Sequence, residues 1–169
     1  LHGLFLWIGA ITALVAVVRA LAQSDAKRLL AYHSISQMGF VLAAFGAATG
    51  AGALLPLTAA VAHAINHALF KSLLFLVVGF AVAATGHRNR YHMPRLGAAH
   101  PLLAGAFLVG ALSIAGVPPF NGYASKVLTS AVLSGSPAYF LIWLAGAGTV
   151  ASFIKLSRIF RFGGASALR

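Results

Sequence analysis

Acidic side chains are almost absent from this chain: Asp25 stands alone against twelve lysines and arginines. Cysteine is absent altogether, which excludes a disulfide framework and any Cys-ligated zinc or iron–sulfur centre. No other redox-cofactor site is legible, so no cofactor is expected in the chain itself. Charged residues of both signs make up only 8% of the chain, while 60% of it is hydrophobic. With a mean hydropathy of +0.93, this is a membrane composition rather than a soluble core with a wet surface. A pI near 11.6 raises the question of nucleic acid. A soluble nucleic-acid binder, however, clusters Lys and Arg on a wet face. Several arginines here lie at the ends of apolar segments instead, as juxtamembrane anchors do, and no nucleic-acid partner is expected. No cleavable signal is visible, because the first apolar segment lacks a basic leader and Arg19 follows it. The missing initiator methionine implies a fragment, with residues 1–169 expected to form a single piece of a larger transmembrane domain.

The lysines sharpen the point. Lys27, Lys71, Lys126 and Lys155 lie in or beside apolar segments, where a buried cation needs a partner. One aspartate cannot serve them all. Carboxylates are therefore expected from elsewhere in the protein, from another subunit or from lipid.

Six apolar segments follow one another: 3–22, 26–48, 54–84, 101–116, 123–134 and 138–161. The first is long enough to span a bilayer alone. Gln23-Ser24-Asp25 interrupts the pattern, with Ser24 the expected N-cap for the second segment. Gly46-x-x-x-Gly50 has the spacing of a packing motif but falls where a helix should turn. Pro56 suits the first turn of the third segment, and Ser136-Pro137 reads as a cap followed by proline at the first helical position. Pro118 and Pro119 remove two backbone donors, so the helix of segment four must stop there. If segments four and five make one broken crossing, three basic clusters share a side: Lys27/Arg28, the 88–95 group and Arg158/Arg161. The positive-inside rule favours that arrangement, and irregular backbone at depth occurs where it lines a cavity. The expected fold is an all-α polytopic transmembrane helix bundle with one discontinuous helix.

His63, His67 and Lys71 are spaced four apart within the third segment. Steps of four precess by only ~40°, so the three side chains share a helix face and climb ~12 Å along it. Asn66 lies close by on the same side. Ionisable groups in hydrocarbon are costly and mark ion or proton paths. Histidine titrates near neutrality and passes protons between its two nitrogens, and burial moves lysine toward the working range. Two other readings stand beside the relay. The histidines could hydrogen-bond across helices while the lysine snorkels, though Lys71 lies ~24 Å along its helix. His-x-x-x-His could bind zinc, but no third ligand is evident and the Lys71 cation would repel a metal, so no metal is expected. Lys126 follows the proline break, where unwound backbone can hold water or ions; a surface lysine is the equal alternative. Asp25, Lys27 and Arg28 read locally as a wet loop at a helix N-terminus. His33, Ser36 and Gln37 recur at helical spacing, as interhelical hydrogen bonding requires.

Taken together, Ala22-Gln23-Ser24-Asp25-Ala26-Lys27-Arg28-Leu29-Leu30-Ala31-Tyr32-His33-Ser34-Ile35-Ser36-Gln37-Met38-Gly39 resembles the signature of the proton-antiporter-like membrane subunits. These occur in respiratory complex I, Mrp-type Na⁺/H⁺ antiporters and membrane-bound hydrogenases. His63 to Leu76 and Gly116 to Lys126 resemble two further blocks of that family, in the same order. The resemblance covers nearly the whole chain but only the second half of the family's transmembrane domain. It implies that Lys27 is a buried proton carrier, that His63, His67 and Lys71 form the relay, and that Lys126 is the terminal proton site beside a discontinuous helix. Asp25, His33, Asn66 and Ser125 take supporting places. The family's glutamate and an earlier lysine have no counterpart here and are expected upstream. His-x-x-x-His-x-x-x-Lys is similar to the longest of the complex I homologues and its hydrogenase relatives. Asn66 to Lys71 and Pro118 to Gly122 lean toward the hydrogenase type. His33 departs from the family, where serine is usual, which implies a wetter or differently tuned neighbourhood.

The implied function is a proton-translocating, multi-pass subunit of a redox-driven complex in the cell inner (plasma) membrane, with no catalytic centre of its own. Its expected partners are other membrane subunits, a redox module, the lipid bilayer and protons, with Na⁺ as an alternative ion. An Mrp-type Na⁺/H⁺ antiporter subunit is the first rival, and a structural membrane anchor is a rival of another class.

Overall fold

The computed structural model describes residues 1–49 and 52–161, all helices and connecting turns apart from one isolated backbone bridge. The helices are α1 (His2–Ala22), α2 (Ala26–Gly46), α3 (Leu54–Thr85), α4 (Pro101–Ala115), α5 (Asn121–Leu133) and α6 (Ala138–Leu156), closed by a 3-10 turn at Ser157–Phe160. Four stretches are long and apolar enough to cross a membrane: α1, α2, α3 and Ala138–Phe160. Their outward faces carry residues such as Ile11, Val18, Leu69 and Leu76, the side a bilayer solvates.

α1 and α2 form an antiparallel hairpin whose backbones nearly touch. A Cβ added at Gly9 would overlap the Ala43 nitrogen, one at Gly39 would sit 2.5 Å from the Ala13 nitrogen, and one at Gly46 would overlap the Leu6 nitrogen. Small residues allow such approach where lipid supplies no hydrophobic drive between helices. Gly46 therefore does more than end α2, as its position in the sequence implied; Gly50 lies outside the described residues. Gly39→Val is expected to destabilise the protein by about 3 kcal/mol or more, because backbone cannot yield as an overpacked side chain does. Thermal aggregation of the detergent-solubilised protein would check this.

Helices α4 and α5 together make one crossing antiparallel to α3. Going up the chain from α4 to α5, their partners descend α3. His100 meets Phe80, Gly110 meets Leu74, Asn121 meets Asn66 and Ser125 meets His63. Gly116, left-handed at φ 78°, ends α4, and the Pro118–Pro119 bond is cis. The break is tight, since a Cβ on Gly122 would meet the Ser113 carbonyl oxygen.

At one end of the bundle the basic segments are tied together. The Ala26 N–H donates to the Arg88 carbonyl at 3.0 Å, the Arg90 N–H to Ser24 at 3.0 Å, and the Leu96 N–H to Ile159 at 2.8 Å. Lys27/Arg28, the 88–95 segment and Arg158 thus share one end, as the charge count of a broken crossing requires. Two cap assignments differ from the sequence reading. Asp25, not Ser24, caps α2, its carboxylate accepting from the Arg28 N–H at 2.9 Å. Pro137 is the N-cap of α6, with the Ser136 hydroxyl accepting from the Ala138 N–H at 3.3 Å. At α2 the aspartate therefore takes the orphan Arg28 N–H, whereas at α6 the capping hydroxyl still comes from Ser136, one residue before the N-cap.

Candidate functional site

Polar side chains collect where α2, α3 and the α4–α5 break meet. His33, Gln37, His63, Ser125 and Thr129 are all buried there, while Ser36 is buried against α1, its hydroxyl donating to the Ala13 carbonyl at 2.8 Å. α3 contributes its His63/His67/Lys71 face, α2 the 30–40 stretch and α5 its first turns. Lys71 is only 5% exposed, so it does not snorkel; its ammonium donates to the Leu30 carbonyl of α2 and lies 5.2 Å from the Phe75 ring centroid.

His63 is the junction. Its Nε2 lies 3.1 Å from Gln37 Oε1 on α2, and its Nδ1 3.0 Å from Ser125 Oγ on α5. An amide oxygen only accepts, so Nε2 carries a proton. Ser125 has a second acceptor within reach, the Gly122 carbonyl at 3.2 Å. Two states then fit one set of heavy-atom positions. In neutral His63, the Ser125 hydroxyl donates to Nδ1. In the imidazolium, Nδ1–H donates to Ser125 Oγ, whose own hydrogen turns to Gly122. The ring can gain and lose a proton without breaking the network. Both nitrogens are committed to these partners, which leaves none for a metal.

Lys126 adjoins this junction. Its ammonium donates to the Ile114 carbonyl at 2.6 Å and sits 5.2 Å from the centroid of Phe40, the ring that stacks on His63 at 5.6 Å. The Ile114 carbonyl is free because its helical donor would be Pro118, which has no N–H. The proline break thus makes an acceptor at the negative end of α4, and Lys126 fills it. Asn66 braces the same break, donating to the Asn121 carbonyl at 2.9 Å and pairing with the Asn121 amide at 3.2 Å.

Lys155 follows the same rule, donating to the Leu21 carbonyl at the C-terminus of α1, 2.7 Å away. Three lysines thus find helix carbonyls, a solution that counting carboxylates misses. The single acid is spent elsewhere: Asp25 caps α2 and pairs with Arg88 at 3.1 Å. Lys27 stands in the first turn of α2, half-buried at this basic end, and the structure does not bring it into the His63 cluster. His67 is half-buried, with its Nε2 unpartnered among the described residues. Gln37 is the junction partner that sequence reasoning left as general glue; its four-residue offset from His33 was the available signal.

A family profile described as "NADH:quinone oxidoreductase/Mrp antiporter, TM" matches residues 1–155. The chain belongs to this family. As a member of the NADH:quinone oxidoreductase/Mrp antiporter transmembrane family, it is membrane-embedded. It is 38% identical over 126 residues to formate hydrogenlyase subunit 3 of Escherichia coli, a match covering 70% of this chain and 21% of that protein. In the Mrp complex of a Dietzia species, one chain superposes with a TM-score of 0.80 at 35% identity, covering 89% of this chain and 17% of that one. A chain of the archaeal membrane-bound sulfane sulfur reductase superposes with a TM-score of 0.89 at 27% identity, covering 99% of this chain and 34% of its own length. The chain thus spans between about a sixth and a third of these relatives.

Proposed function

We propose that this chain is the proton-conducting part of a membrane subunit in a redox-driven complex. Protons enter near Lys27, pass Lys71, His67 and His63 on the α3 face, and reach Lys126 beside the α4–α5 break. Water bridges the gaps that exceed one hydrogen bond. The observation that carries the reading is His63 bonded at once to Gln37 and to Ser125, the residue next to Lys126. That geometry accommodates both protonation states and is more than packing requires. The partners on this reading are other membrane subunits, a redox module that alters the field or hydration around the lysines, and the lipid of the cell inner membrane. Likeness to a formate hydrogenlyase subunit supports the redox coupling. Likeness to an Mrp complex chain supports a second reading, a Na⁺/H⁺ antiporter subunit using the same path without electrons.

His63→Phe tests the reading, because phenylalanine fills the space and keeps the stacking on Phe40 while removing both nitrogens. Proton flux in vesicles bearing the full-length, assembled protein is expected to fall about tenfold or more, with assembly preserved. Unchanged flux would reduce the network to interhelical glue and leave the structural anchor as the better account.

A further inference from the structure

His33 is fully buried, yet neither of its ring nitrogens has a hydrogen-bond partner among the described residues. Its neighbours on α2 give this meaning. Leu30 offers its carbonyl to Lys71, Gln37 holds His63, and Phe40 faces both His63 and Lys126. Positions 30, 33, 37 and 40 follow steps of three, four and three, one face of a helix rising about 15 Å. His33 is therefore the titratable side chain between the Lys71 anchor and the Gln37–His63 junction, and it lies within electrostatic reach of both Lys71 and Lys126. Packed against it is the Phe153 ring of α6, with ring centroids 5.0 Å apart. Two more buried atoms of the site are unpartnered among the described residues, Gln37 Nε2 and His67 Nε2. Buried polar atoms seldom stay unpaired; ordered water normally bridges them.

We propose that His33 carries protons between Lys71 and the Gln37–His63–Ser125–Lys126 network, as a second branch on α2 parallel to His67 on α3. This rests on the relay reading of Lys71 and Lys126. In one transfer an N–H bond of the Lys71 ammonium breaks and, through a water molecule, an N–H bond forms on one His33 nitrogen. The other nitrogen releases its proton to a water that accepts from Gln37 Nε2, and the charge moves on toward Lys126. Side-chain volume and packing on Phe153 do not require an imidazole here; a path needing two nitrogens on opposite sides of a ring does.

The test is a double-mutant cycle on proton flux, with the full-length protein assembled in vesicles and flux normalised to assembled protein. The variants are His33→Gln, His67→Gln and the pair together, with His33→Asn as an alternative should His33→Gln assemble poorly. Glutamine keeps hydrogen bonding but cannot carry a proton. For parallel branches, each single variant is expected to lose about twofold and the pair more than tenfold, far beyond the product of the singles. A merely structural role makes the losses multiply to about fourfold, which would overturn the proposal. So would a wild-type rate in His33→Gln combined with an unaltered effect of His67→Gln. A tenfold loss in His33→Gln alone would put His33 in series and overturn the branch. Lys71→Met, run alongside, separates the failures. If it keeps full flux the relay itself falls, whereas if it stops flux and the cycle shows no synergy, only the His33 branch falls.

Discussion

Lys71→Met is expected to cut proton flux about a hundredfold while the protein assembles at wild-type level. Methionine matches the lysine stem in length and flexibility and carries no proton. The lysine is only 5% exposed and its ammonium meets a carbonyl, not a carboxylate; the chain's one acid is occupied by Arg88 and the α2 N-terminus. Holding a buried cation without a counter-ion costs several kcal/mol, and replacing such groups by apolar ones of like volume is often neutral or stabilising. The substitution should therefore leave stability equal or improved. A side chain that lowers stability and sits on one face with two histidines is explained by use, and general acid–base groups of this kind are worth about a hundredfold or more. Flux in vesicles, with the amount of assembled protein measured in parallel, decides. Wild-type flux in Lys71→Met would assign the α3 face to packing.

The sequence carried the helices and the α3 face well, because steps of four fix which side chains share one helix side whatever surrounds it. The proline pair likewise located the break, and the positions of Arg28, Arg88 and Arg158 agreed with one broken crossing. Rotations between helices were harder to read. In lipid the outward face of a helix is as apolar as most of its inward face, so apolar periodicity says little about which side of α2 meets α3. The pairing of Gln37 with His63 and the placement of His33 between the lysine anchors thus needed coordinates. The lysine partners were missed for another reason: counting charges looks for carboxylates, whereas Lys71, Lys126 and Lys155 use carbonyls at helix surfaces and ends. The resemblance made Lys27 a buried carrier, while the described chain leaves it half-buried in the first turn of α2.

Lys126 separates proton transfer from structure more sharply than Lys71 does, because it performs a structural task that another cation can take over. Its ammonium occupies the Ile114 carbonyl that Pro118 leaves without a donor. Lys126→Met removes that partner and leaves a carbonyl unsatisfied at the end of α4, at a cost of about 1–3 kcal/mol. Flux should fall about a hundredfold and the thermal midpoint should drop with it. Lys126→Arg can restore the hydrogen bond and the favourable charge at the negative end of α4, but guanidinium holds its proton at any working pH. Stability is therefore expected to return in the arginine variant while flux stays at the methionine level. If arginine restored both, Lys126 would act as a fixed charge steering protons held elsewhere, and the terminal proton site would have to move to His63 and Ser125. If it restored neither, steric crowding against Gly116, where an added Cβ would sit 2.7 Å from the Lys126 Cδ, would account for the loss. Lys126→Gln, shorter and neutral yet able to donate to Ile114, would then carry the comparison, with stability regained and flux still lost.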